Sequence, residues 1–160
     1  MNKYKHIIFL SLIAVLCFAI DLISKIIANN NLVLFERNEV IPNFFYLTLC
    51  YNTGGAWSIF SGNTIFLIII SLIAVGAVVY TLTKSKTKFY MYSSAVFVGG
   101  LLGNLYDRIF YSKVTDFLDF IIFGYDFPVF NIADCFICVS VALMLIAMIR
   151  EEKNNGKDSI

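Results

Sequence analysis

Apolar residues gather along the chain in four long runs, at roughly 7 to 28, 64 to 83, 90 to 110 and 131 to 149, with short polar or basic segments between them. Each run approaches the about 20 residues that a helix needs to cross the hydrocarbon core of a bilayer. The pattern predicts an all-α membrane protein with four transmembrane helices in one compact bundle. Basic residues precede the first run, which contains Cys17, and this is the outline of a cleavable leader. The bulky Leu16 directly before Cys17 is a poor cleavage-site residue, however, and the run continues through Asp21 to Ala28. We read it as a retained helix.

The connection between the first two runs has a different texture. "NLVLFE" and "FFYLTLCY" are rich in β-branched and aromatic residues and flank the polar "RNE". They predict a small antiparallel sheet at the outer interface, between the first and second helices. Residues 1–150 then form a single integral membrane domain, and 151–160 a solvated, frayed polar tail.

Basic residues set the orientation. Lys3 and Lys5 precede the first run, Lys84, Lys86 and Lys88 fill the second connection, and Arg150, Lys153 and Lys157 follow the fourth run. These segments share the cytoplasmic side, so both termini are cytoplasmic. The connections at about 29 to 63 and 111 to 130 hold Arg37 and Lys113 against Glu36, Glu39, Asp116, Asp119 and Asp126. They face outward.

Composition reinforces the membrane assignment and excludes several chemistries. The chain of 160 residues is 59% hydrophobic and 14% charged, with a mean hydropathy of +0.81. That is too apolar for a soluble domain. A net charge of +1 gives no electrostatic case for nucleic acid. The single histidine, His6, lies at the extreme N-terminus among lysines, which argues against a Ser-His-Asp triad or a His-ligated metal. Cys17, Cys50, Cys135 and Cys138 read as small apolar residues, since no nearby cation lowers a thiol pKa.

With this topology the unusual polar residues converge on one leaflet. Asp21 and Lys25 lie in the outward half of the first helix, Asn52 in the outer loop beside Gly54, and Asn104, Asp107 and Arg108 at the outward end of the third helix. Asp116 and Asp119 follow that end, and Asn131 and Asp134 open the fourth helix. Each has an ordinary structural role open to it. Asp21 and Lys25, spaced i,i+4, suit a helix brace; Arg108 can snorkel; Asn131 and Asp134 resemble a capping box. Asp116 and Asp119 can be solvated loop acids, and would share a face if their segment were helical.

The convergence adds a further possibility. An acid after the third helix and an acid opening the fourth can meet where apolar surroundings disfavour two adjacent negative charges, so that one keeps a proton while the other ionises. Such a pair supports acid-base hydrolysis of a peptide bond without histidine, metal or cofactor.

At these residues the sequence resembles a known family, lipoprotein signal peptidase or signal peptidase II. The matching elements are "DLISK", "NTGGAW", "GNLYDR", "VTDF" and "FNIAD", in the family's order and spanning nearly the whole chain. Gly55 stands where family members often have alanine. The resemblance implies an aspartic endopeptidase of the bacterial cell membrane, active near the outer leaflet, with Asp116 and Asp134 as catalytic dyad. It implies that Asn52, Gly54, Asn104, Arg108 and Asn131 bind substrate or support the dyad, while Asp21, Lys25 and Asp107 are structural. The implied partners are membrane lipids and prolipoprotein signal peptides carrying a diacylglyceryl-cysteine, cut just before that cysteine by a monomeric enzyme. Neither a metal nor another cofactor is implied. A proton- or cation-coupled transport subunit is the alternative, with Asp21, Asp116 and Asp134 as ion sites, but the acids cluster at one face. A presenilin-type protease is disfavoured because the glycine-x-glycine-aspartate motif is missing.

Overall fold

The structure, a computed structural model, describes residues 3–84 and 87–157; Lys86, one of the residues used for orientation, lies outside them. Four helices form: α1 (Lys3–Asn31), α2 (Thr64–Lys84), α3 (Lys88–Tyr111) and α4 (Ile132–Lys157). Three of them, over Tyr4–Asn31, Thr64–Leu82 and Ile132–Glu151, are long and apolar enough to span a bilayer. The α3 helix has 24 residues, or about 36 Å of rise, so length is no obstacle. Its lower apolarity comes from Asn104, Asp107, Arg108 and its serines, and most of these are buried. It packs against all three other helices.

The bundle inverts the layering of a soluble protein. Ile7, Ile8, Leu12, Ile65, Ile73, Leu145 and Ile149 point outward, while Asp21, Lys25, Ser94, Asn104, Asp107 and Ser140 are buried. Lipid already satisfies apolar side chains, so helix contacts in a membrane rest on close packing and polar pairing. Gly99 permits that approach: a Cβ there would stand 2.6 Å from the Ala14 carbonyl oxygen. Gly103 does the same farther along, where a Cβ would run into the Asp21 carboxylate.

The sheet is larger than expected and draws on both outer connections. Strands β1 (Arg37–Ile41), β2 (Phe45–Asn52), β3 (Val114–Ile122) and β4 (Tyr125–Asp126) lie in sequence order and pair antiparallel. Two strands thus come from between α3 and α4, which corrects the placement between the first and second helices alone. The internal register also differs. The polar "RNE", which the two stretches flank, begins β1, while the turn falls after Ile41, where Pro42 leads into Asn43 at φ 56°. Proline pre-sets a turn and asparagine tolerates positive φ.

The α3 helix stops at Ser112, which adopts left-handed backbone (φ 57°), and the chain enters β3. The segment before α4 then docks on β3, where Phe130 and Leu118 exchange two backbone hydrogen bonds of 2.8 and 3.0 Å. This bridge brings the start of α4 beside Asp116. At its far end α4 continues to Lys157, so the tail expected from Glu151 is helical over its described part.

Candidate active site

Asp116 and Asp119 are the first residues whose placement the strand decides. Side chains alternate across a strand, so two residues three apart face opposite ways. Asp116 turns toward α4 and accepts a 2.6 Å hydrogen bond from Asn131 Nδ2. Asp119 turns to the other side, where Arg37 binds it through Nε at 2.7 Å and Nη2 at 3.1 Å and the Thr48 hydroxyl donates at 2.6 Å. Arg37 also reaches Asp126 at 2.8 Å. Asp119 is fully buried and fully partnered; it is an anchor of the sheet.

Asp134 and Asn131 form the reciprocal cap suggested by their spacing. Asp134 N–H donates to Asn131 Oδ1 at 3.0 Å, and Asn131 N–H donates to Asp134 Oδ2 at 3.1 Å. Asn131 therefore occupies the N-cap and Asp134 the third helical position, where the helix dipole also favours an acid. The remaining oxygen of Asp134, Oδ1, accepts from Asn104 Nδ2 at 2.8 Å. Asn131 Nδ2 lies between Asp116 and Asn104, 2.6 and 3.1 Å from their oxygens. Through these two asparagines the acids of β3 and α4 belong to one network.

The environments of the acids differ. Asp116 is 2% exposed, and burial, followed by the negative charge of Asp134, pushes its carboxyl up to about 7 despite opposing hydrogen bonds from Asn131 and Asn52 and the nearby Lys25 charge. A carboxyl so placed can hold or release a proton near neutral pH. Asp134 is only half-buried and offers both oxygens to N–H donors. The two acids thus sit in unlike surroundings.

The surrounding polar residues sort into three groups. Asn52 shapes the turn after β2: its Oδ1 accepts from Gly54 N–H at 2.8 Å and its Nδ2 donates to the Gly55 carbonyl at 3.2 Å. Arg108 holds the same turn by donating to the Gly54 carbonyl at 2.9 Å. Asp107 accepts the Thr115 N–H at 3.0 Å and so fixes the strand one residue before Asp116. Asp21 and Lys25 do pair, at 2.8 Å, but they do more than brace α1. Asp21 Oδ1 accepts the Ala133 N–H at 2.8 Å, tying α1 to the first turn of α4. Lys25 reaches Asp107 at 3.3 Å and Asn104 Oδ1 at 2.9 Å.

Sequence reasoning missed Asn29, Thr48 and Arg37. Asn29 Nδ2 donates to the Thr115 hydroxyl at 3.2 Å and its Oδ1 accepts from Tyr51. No local signal marks it, because its partners lie on other elements. Arg37 was visible, with Lys113, as a cation among outer acids, yet its choice of Asp119 depends on strand pairing. Cys50 stands opposite Asp116 in the β2–β3 ladder; burial and the two nearby aspartates push its thiol up to about 12, so it is neutral, in keeping with the small-residue reading.

A family profile described as signal peptidase (SPase) II matches residues 13–150. Among curated proteins, lipoprotein signal peptidase of Bacillus pumilus (strain SAFR-032) is 36% identical, covering 94% of this chain and 99% of its own length. That of Staphylococcus aureus (strain JH9) is 38% identical, covering 93% of each chain. Among solved structures, a bacterial membrane enzyme determined by the in meso method at 2.3 Å superposes with a TM-score of 0.85, at 36% identity, covering 96% of this chain and 93% of that one. Another, at 1.9 Å, gives 0.79 at 37% identity, covering 92% and 94%. Profile, relatives and structures agree over nearly the whole length, and the chain belongs to the signal peptidase II family.

Proposed function

We propose that this chain is the membrane aspartic endopeptidase that removes signal peptides from prolipoproteins, and that Asp116 and Asp134 are its dyad. The carrying observation is the Asn131 bridge, which binds Asp116 through its side chain and Asp134 through its backbone while Asp119 is consumed by Arg37 and Thr48. Asp134, the acceptor on both oxygens, serves as base and takes a proton from water as the water oxygen attacks the scissile carbonyl carbon. Asp116 gives its proton to the carbonyl oxygen. The tetrahedral diol then collapses: Asp134 returns its proton to the leaving nitrogen, a diol hydroxyl reprotonates Asp116, and the C–N bond breaks.

In this reading α3, which packs against the other three helices, is the fourth membrane crossing, the sheet and dyad lie at the outer leaflet of a bacterial cytoplasmic membrane, and both termini are inside. Lys5, Lys88 and Arg150 lie at the helix ends away from the sheet, which supports this orientation. A signal peptide crossing as an apolar helix with a basic start presents its cleavage site at that leaflet. Acyl chains on the substrate cysteine add about 0.8 kcal/mol per buried methylene and hold the bond at the interface. Asn52 and Arg108 orient the Gly54 turn beside it, and the enzyme acts as a monomer.

The test uses the full chain in lipid with one prolipoprotein peptide, with and without its diacylglyceryl group. Cleavage before the cysteine, dependent on the lipid, is expected. Asp116→Asn and Asp134→Asn reduce it to background, whereas Asp119→Asn retains a substantial fraction. Activity surviving in both dyad variants would end the aspartic assignment, and ion flux without proteolysis would favour a transport subunit.

A further inference from the structure

Among the described residues, six other than glycine have left-handed backbone. Two have ordinary reasons. Asn43 has a short polar side chain that tolerates this region, and Ser112 closes α3, at a helix C-terminus where left-handed residues are common. The other four are aromatic: Phe35 at φ 63°, Trp57 at 51°, Phe60 at 60° and Phe123 at 51°. A bulky side chain is strained in this region. The choice is plainest at Phe123, which with Gly124 makes the two-residue turn between the paired Ile122 and Tyr125. Such a turn favours asparagine or aspartate before the glycine, and phenylalanine stands there instead. All four rings are exposed, that of Phe123 completely, so burial in the protein's own core does not offset the strain. All four also lie in the outer connections, three between α1 and α2 and Phe123 between α3 and α4.

We propose that Phe35, Trp57, Phe60 and Phe123 anchor the sheet in lipid: their rings enter the interfacial layer of the leaflet on the sheet's side and hold β3, with Asp116, at a fixed depth against the bilayer. Lipid offers these rings burial without any change in the fold, and aromatic side chains favour this layer. The surface around them continues the lipid-facing surface of the helices. Val33, Leu34 and Phe35 carry exposed apolar side chains on past the end of α1, and the Phe60 ring packs edge to face on Phe66 with 5.0 Å between centroids. Phe66 is itself exposed in the first turn of α2, a helix long and apolar enough to span the bilayer. A soluble protein partner would select one contiguous apolar patch, whereas these rings come from three separate loops. The anchors are also placed to act on the site. Phe123 follows the strand that carries Asp116, and Trp57 follows the turn shaped by Asn52. The depth-setting role rests on the reading of Asp116 as a reacting group; the lipid contact does not.

Because all four rings are exposed, each must meet either water or lipid, and fluorescence quenching separates the two. Trp57 is the only tryptophan of the sequence, so the unaltered chain reports on it directly. Phe35→Trp, Phe60→Trp and Phe123→Trp, each combined with Trp57→Phe, report on the others. The full chain is placed in vesicles of phosphatidylethanolamine and phosphatidylglycerol whose acyl chains carry bromine either close to the headgroup or close to the chain end. Each tryptophan should be quenched by bromine near the headgroup, less by bromine at the chain end, and little by aqueous iodide. A tryptophan at any of the four positions that iodide quenches and brominated lipid does not would overturn the proposal. Phe35→Asn/Phe123→Asn then removes two anchors while easing the backbone, since asparagine tolerates the left-handed region and completes the Asn-Gly pair that the hairpin favours. In this variant the headgroup-level quenching of Trp57 should weaken. Cleavage of a lipidated prolipoprotein peptide in the same vesicles should fall roughly 10-fold, because dyad and scissile bond no longer share one depth. Unchanged cleavage would overturn the depth-setting role, and so would cleavage that falls while Trp57 quenching stays in place, which is what a structural defect alone produces. If the unaltered chain cleaves nothing, the functional reading falls, yet the quenching still decides whether the four rings stand in lipid.

Discussion

The raised carboxyl of Asp116 makes a prediction about stability that requires no substrate. Its folded-state carboxyl lies at about 7, against an ordinary value of 3.8, with burial the leading cause and the Asp134 charge the second. The native state therefore binds this proton more tightly than the unfolded chain does. Stability from the group is fully present below pH 3.8 and is lost as pH rises through 7, because the native state must then hold a second negative charge beside Asp134. That difference corresponds to at most about 4 kcal/mol. Sharing of the proton with Asp134 makes about 2 to 4 kcal/mol the working range. Asp116→Asn keeps the shape and removes the titration. Thermal unfolding of both proteins in detergent, from pH 4 to pH 8, should show the variant gaining on the parent as pH rises, by roughly 5 to 10 °C across the range. A difference that stays flat, or that falls with pH, would refute Asp116 as the proton-holding acid.

Asp119→Asn should lower stability by about 1 to 2 kcal/mol by weakening the Arg37 and Thr48 contacts, a figure discounted because Arg37 is partly exposed; denaturation at pH 7 measures it. Asp134→Asn should lose activity but keep the helix cap, since an amide oxygen still accepts the Asn131 N–H, while Asp134→Ala should lose the cap as well and unfold about 1 kcal/mol sooner. Gly103→Ala forces a Cβ into the Asp21 carboxylate, so it should cost about 1 to 3 kcal/mol by overpacking and reduce cleavage in the same preparation. Single cysteines at positions 88 and 113, in a cysteine-free background, should label from opposite sides of the membrane; equal labelling at both would refute the orientation.

The helices were legible in the sequence because a run of apolar residues long enough to span a bilayer has few other fates, and even α3 declared itself despite Asn104, Asp107 and Arg108. The second half of the sheet was not. In "VTDFLDFII" the acids interrupt apolar alternation on both faces, and their burial is tolerable only because Asn131 receives one and Arg37 the other, far away in sequence. The bridging asparagines posed the same difficulty. The Asn131–Asp134 cap is local and could be read from spacing, whereas the Lys25–Asn104–Asp134 path needs the rotations of α1, α3 and α4 together.

The capping box and the catalytic pair looked like competing readings of Asp134, yet a carboxylate has two oxygens and the structure gives each a separate N–H donor. Oδ2 closes the cap, which pins the side chain to the first turn of α4; Oδ1 meets Asn104, whose own oxygen accepts from Lys25 of α1 and from Asn131. The cap removes the rotational freedom that a surface aspartate keeps, so little ordering entropy is left to lose when substrate arrives. Asp116 is restrained in a complementary way, by a strand whose start is held by Asp107 and whose middle is bridged to Phe130. The two acids are thus carried by different kinds of secondary structure and coupled by Asn131, which contacts both. In a protein whose outer surface faces lipid, this polar seam is where side-chain hydrogen bonds join the helices to the sheet. The residues that hold the bundle to the sheet are therefore largely those that place the acids, which explains why motifs scattered from Asp21 to Asp134 converge on one site.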